Sequence, residues 1–343
     1  MLSLFYRSAA LMCISGLLFA CTRPAAEDRR ATSRDSQQQA TAEFTTVLSA
    51  ETKDTNRYKR YLLHLVHNDP SEKWPVYGAV PPAGALLPYH RIIAYYGNFY
   101  TPAMGILGMQ PESEMLTKLK EETARWQQAD TMLPALPALH YIAVTAQESP
   151  GPSGKYRLRM PPEQLEKVVA LAYQEKTLLF LDVQVGLSTL QDELPLLETY
   201  LRLPEAHLGI DPEYSMKNQQ VPSSRIGTFD AADINYAITF LSGIVKKYKL
   251  PPKILVVHRF TQGMLTNYKD IKKVPEVQVV INMDGFGSPA KKIDSYTGFV
   301  AREPVQYTGF KIFYKVDSQT GKRLMAPEEV LALHPSPVYI QYQ

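Results

Sequence analysis

The chain has two cysteines in 343 residues, Cys13 and Cys21, and none after them. A domain built from the remainder has no disulfide, no thiolate nucleophile and no zinc–thiolate centre. Its fold must stand on its core alone. Charge of one sign is also lacking: 37 Lys and Arg stand against 34 Asp and Glu, a formal net charge of +3. That balance argues against a nucleic-acid partner. No Gly-x-Gly-x-x-Gly segment follows the first apolar strand, so no nucleotide cofactor is expected, nor a cofactor of any other kind. No His-Glu-x-x-His pair is present, and no internal repeat.

The N-terminus is apolar where the rest is mixed. Arg7 precedes a stretch from Ala9 to Ala20 that ends at Cys21. That stretch is short for a membrane span, which takes about 20 residues, and reads as a signal peptide over residues 1–20. Leu18-Phe19-Ala20-Cys21 resembles a bacterial lipobox, which implies lipidation of Cys21 and a membrane partner reached through it. An ordinary secretory signal with an incidental cysteine is the alternative. Export with lipidation places the protein in the bacterial cell envelope, facing the periplasm or the exterior. Residues 21–56 are rich in Ala, Thr, Ser, Gln and charge and hold little that packs, so a flexible tether is expected there. A helix near 52–66 is expected to close the bottom of the domain, or to cover a gap left after the last strand.

Residues 57–343 form one domain by length. Strands are expected near 89–96, 138–145, 177–184, 206–213, 253–259, 276–284, 309–315 and 337–342. Helices are expected near 111–128, 162–175, 188–202, 229–248, 262–273, 289–302 and 326–333. Near-continuous apolar strands alternating with helices imply a parallel sheet covered by helices. The fold class is α/β, and eight strands point to a single (β/α)8 TIM-barrel-like domain. A doubly wound open sheet is the competing arrangement.

Several strands end in polar residues, and in such barrels the site sits at the strands' C-terminal ends. Read there, the candidates are Tyr96 and Asn98, Gln147, Asp182 and Gln184, Asp211 and Glu213, His258 and Arg259, Asp284, and Lys315 with Asp317. Asp211 and Glu213 stand out. Residues i and i+2 of a strand face one way, so both carboxylates are expected on one face, where repulsion raises one pKa and makes a general acid. Asp182 and Asp284 serve equally well as structural carboxylates binding backbone N–H groups. Arg259 is equally placed to neutralise Asp284. Tyrosine is abundant, 21 against 12 phenylalanines, and suits wet, amphipathic surfaces such as sugar sites.

Ile210-Asp211-Pro212-Glu213-Tyr214 is similar to the Asp-x-Glu-Tyr end of the fourth strand in chitinase-type glycosidases. Asn282-Met283-Asp284 loosely resembles that family's Met-x-Tyr-Asp segment. The family's further upstream aspartates are absent; His207, Leu208 and Gly209 occupy that region, and Pro212 replaces the usual aromatic. As a whole, residues 88–343 resemble secreted or lipid-anchored bacterial proteins of unassigned function. The glycosidase resemblance implies Glu213 as general acid, Asp211 as its support, Asp182 or Asp284 as the second carboxylate, and a glycan as substrate. Tyr96, Gln184, Tyr214, His258, Arg259 and Lys315 would then contact substrate. Two other functions stay open. One is metal-dependent hydrolysis of a phosphodiester, with Asp182, Asp211, Glu213, His258 and Asp284 forming a hard-oxygen site for Mg²⁺, Ca²⁺ or Mn²⁺ and Arg259 and Lys315 on the phosphate. The other is a non-catalytic envelope barrel that binds a glycan or partner.

Overall fold

The computed structural model describes residues 54–217 and 219–343. Cys21, the signal segment and nearly all of the expected tether lie outside the described residues. The first helix among the described residues, α1 (Thr55–His64), is capped by Asp54, whose carboxylate accepts from the backbone N–H groups of Asn56 and Arg57. Its first two residues belong to the span read as tether.

Eight parallel strands follow: β1 (Arg91–Gly97), β2 (Ala135–Ala146), β3 (Leu178–Val183), β4 (Ala206–Ile210), β5 (Lys253–Arg259), β6 (Val277–Met283), β7 (Tyr307–Ile312) and β8 (Tyr339–Tyr342). Each pairs with its neighbour in chain order, and β8 pairs back onto β1, closing a (β/α)8 barrel. Residues 157–159 add one short antiparallel segment to the end of β2. The main covering helices are α2 (Glu112–Ala129), α3 (Pro162–Glu175) and α4 (Ala231–Tyr248), with shorter α5 (Pro289–Ser295), α6 (Tyr314–Gly321) and α7 (Pro327–Leu331).

Alternation along the strands divides the core in two. One set of side chains, including Leu139, Leu181, Leu208, Val257 and Ile340, faces the helices. The other, including Ile92, Ala94, Leu178, Phe180, Ile254, Val256 and Tyr339, fills the barrel from below. From α1 and the residue after it, Tyr58, Leu62 and Leu65 join this inner set. The helix is therefore a bottom plug. The flank of β8 is covered instead by α2, whose Trp126 indole N–H donates to the Tyr342 hydroxyl at 2.9 Å, and by α7 packed on α2.

Two expected helices differ. The span 188–202 breaks into two four-residue helical pieces around a 3-10 turn at Leu194–Leu197, because Pro195 supplies no backbone N–H. The span 262–273 forms two 3-10 turns and a short strand, Leu265–Thr266, paired with Phe229–Asp230. Asn267, between the turns, has φ +55°, a conformation that ends helices.

Candidate active site

The C-terminal ends of the strands open into a cavity of about 590 Å³. Tyr96, Gln184, Asp211, Glu213, Tyr214, Asp284 and Lys311 line it, with Phe260, Phe286 and Phe313 as apolar walls. Strand phase explains the convergence. Tyr96 continues the inward row of Ile92 and Ala94; Asp182 that of Leu178 and Phe180; His258 that of Ile254 and Val256.

Asp211 and Glu213 meet the cavity by a different route from the expected one. Strand β4 stops at Ile210, and Pro212–Tyr214 forms a 3-10 turn. Asp211 caps that turn by accepting from the Glu213 backbone N–H at 3.0 Å. Its other oxygen lies 3.5 Å from the Gln184 amide nitrogen. Asp211 is buried, Glu213 half-buried, and neither has an ion-pair partner among the described residues. Burial pushes the Asp211 carboxyl well above its ordinary range; His258 opposes this, while Glu213, Asp182 and Asp284 add to it. Burial likewise pushes the Glu213 carboxyl up to about 7, with Asp284 adding and Lys311 and His258 opposing. Desolvation, rather than mutual repulsion, is the main cause for both.

Asp182 and Asp284 are held the other way. His258 lies between them, its Nε2 3.3 Å from Asp182 and its Nδ1 2.9 Å from Asp284. Lys311 pairs with Asp284 at 2.8 Å and sits 4.0 Å from the centre of the Tyr96 ring. Burial works against ionising Asp284, but Lys311 and His258 outweigh it and hold the carboxyl below its usual range. Burial opposes ionisation of Asp182 too, and His258 and His140 prevail. His258 is itself raised to about 10: Asp182 and Asp284 outweigh the effect of its burial. Asp182 is fully buried beneath Tyr96, whose hydroxyl donates to it at 2.9 Å. Asp284, by contrast, reaches the cavity.

The remaining candidates lie elsewhere. Arg259 follows inward His258 by one residue, so it points outward, where it pairs with Glu303 at 2.6 Å and donates to Thr261, Gln262 and Leu265 carbonyls. It neutralises Glu303 rather than Asp284. Strand β7 ends at Ile312, which puts Lys315 on α6, exposed to solvent. Asp317, on the same helix, is buried and pairs with Lys292 at 2.7 Å. Asn98 accepts from the Tyr100 backbone N–H, and Gln147 donates to the Ser149 carbonyl; both shape loops.

Lys311 and His140 are absent from the residues singled out above. His140 lies 3.1 Å from Asp182. Each had a signal: a charged or titratable side chain inside an apolar run, Phe310-Lys311-Ile312 and Leu139-His140-Tyr141, in phase with inward neighbours. Gly209 leaves the space in which Asp182 and His140 meet. A Cβ there would stand 2.2 Å from an Asp182 oxygen and 2.4 Å from His140 Nε2. Gly209→Ala is expected to cost about 1–3 kcal/mol, the usual penalty of overpacking a filled core. Urea unfolding measures it, and an unchanged midpoint would contradict the packing described.

No family model and no curated protein matches the chain. The solved structures that share a detectable likeness include two glycoside hydrolases. One is a GH5-4 broad specificity endoglucanase from Clostridium acetobutylicum, at 12% identity over 69% of this chain and 82% of that one, TM-score 0.39. The other is a ruminal GH26 endo-beta-1,4-mannanase, at 8% identity over 74% of this chain and 59% of that one, TM-score 0.35. The barrel itself rests on the strand pairing described above.

Proposed function

We propose that the protein is a lipid-anchored envelope hydrolase of glycans in which Glu213 is the general acid. One observation carries this: a carboxyl without an ion-pair partner among the described residues, raised to about 7, lines an open aromatic-walled cavity together with an ionised carboxylate. Glycoside hydrolysis asks for such a pair, one carboxyl protonated and one not. Glu213 would protonate the leaving glycosidic oxygen. Asp284, kept ionised by Lys311 and His258, would act on the other side of the bond, as nucleophile or as base for water. Asp211 supports Glu213 through the turn it caps. Tyr96, Tyr214 and the phenylalanines offer faces for sugar rings.

The test is a panel of polysaccharides incubated with purified protein. Because the acid must be protonated, kcat is expected to fall as pH rises through about 7. Rates that keep rising above pH 8 would contradict the assignment. A non-catalytic glycan-binding barrel is the second reading, favoured by the tight pairing of Asp182 and Asp284. Glycan retention without hydrolysis of any panel member would select it. The phosphodiester alternative loses its phosphate ligands, since Arg259 and Lys315 are not among the residues lining the cavity.

Anchoring rests on the sequence around Cys21. Cys21→Ser is expected to abolish incorporation of labelled fatty acid while export continues. Unchanged labelling would overturn the anchor.

A further inference from the structure

Below the cavity lies a cluster of which the hydrolytic reading uses His258 alone, as a neighbour of Asp284. His140 on β2, Asp182 on β3 and His258 on β5 bring one ligand atom each within 4.8 Å of one another, and all three are fully buried. His140 Nε2 is 3.1 Å and His258 Nε2 3.3 Å from the same Asp182 oxygen. At bond lengths of about 2.1 Å, two ligands of one ion lie roughly 3.0–3.4 Å apart, from octahedral to tetrahedral geometry.

Direction separates this from ordinary hydrogen bonding. Despite the short distances, His140 Nε2, His258 Nε2 and that Asp182 oxygen have no aligned hydrogen-bond partner. Ring nitrogens this close to a carboxylate oxygen without a hydrogen bond to it leave all three atoms available to one cation. One outer contact agrees: His140 Nδ1 lies within hydrogen-bond reach of the Tyr339 hydroxyl, the way a metal-binding histidine is held by its second nitrogen. His258 Nδ1 lies 2.9 Å from Asp284 but, like its Nε2, has no aligned hydrogen bond. Gly209, without a side chain, keeps the shared space clear.

We infer that the barrel interior holds one divalent transition-metal ion on His140 Nε2, Asp182 Oδ1 and His258 Nε2. Two imidazoles and one carboxylate suit Zn²⁺, Co²⁺, Fe²⁺ or Mn²⁺, whereas Ca²⁺ and Mg²⁺ prefer oxygen alone. The ion joins three strands beneath the mouth, and its presence is independent of whether the mouth hydrolyses anything.

Tag-free full-length protein is stripped with chelator, then equilibrated with Zn²⁺ or Co²⁺ and freed of excess by gel filtration. Mass spectrometric metal analysis is expected to find one equivalent. The Co²⁺ form is expected to show visible d–d absorption. His140→Gln and Asp182→Asn are expected to weaken binding at least tenfold. Should either variant fail to fold, ¹⁵N NMR of the wild type decides: Zn²⁺ should shift both Nε2 signals. Substoichiometric metal, equal retention in His140→Gln, or unmoved histidine signals in the Zn²⁺-loaded protein would each overturn the site. The cluster would then be a proton held by His258 between two carboxylates.

Discussion

Glu213→Gln is expected to lower glycan hydrolysis by about 10²–10⁴-fold, the usual worth of a positioned general acid. The amide keeps the size of the side chain and cannot give up a proton. Its effect on stability should have the opposite sign. The folded pKa of Glu213, about 7, lies above the ~4.3 of an unfolded glutamate. Between these values the folded state holds a proton that the unfolded chain has released. Stability therefore falls as pH rises through that window, and above it the ionised carboxylate is a fixed cost. Glutamine removes the cost. The melting temperature gained by the variant should thus be larger at pH 8 than at pH 5. A variant less stable than wild type at pH 8 would show that the Glu213 carboxylate has a partner it depends on.

Asp182→Ala is expected to destabilise the barrel by about 3–5 kcal/mol. Asp182 is fully buried and serves three groups at once: His140, His258 and the Tyr96 hydroxyl. Its removal leaves the buried His258 with Asp284 as its remaining carboxylate and the Tyr96 hydroxyl without its acceptor. A buried cation stripped of one of its two carboxylates is under-compensated, and an unsatisfied hydroxyl adds to the cost. Chemical denaturation at pH 7 measures the loss. A change under about 1 kcal/mol would mean that water or a shifted side chain replaces the carboxylate.

The contrast between these two acids was only partly legible beforehand. Apolar strands ending in carboxylates marked both the barrel and the mouth, because alternation along a strand is a local property. Asp284 and Tyr96 reached the cavity by that rule. The same rule, applied to His258 and Arg259, forbids both from facing inward, and Arg259 is the one turned out. Lys315 was misplaced for a different reason: β7 gives way to α6, and the inward position belongs to Lys311. The partners of Asp182 were illegible because they come from strands distant in sequence. So was the dominance of burial over repulsion at Asp211, since desolvation depends on what covers a side chain. The helix expected over 262–273 failed on Asn267 and on the pairing of Leu265–Thr266 with Phe229–Asp230, a contact between distant segments.

The central claim is that Glu213 keeps its proton near neutral pH at the mouth of the barrel. Carboxyl ¹³C NMR on selectively labelled protein, with Glu213→Gln assigning the signal, tests it without any substrate. A midpoint near 7 is the predicted result. A midpoint near the ~4.3 of a free glutamate would contradict it, and the general acid with it.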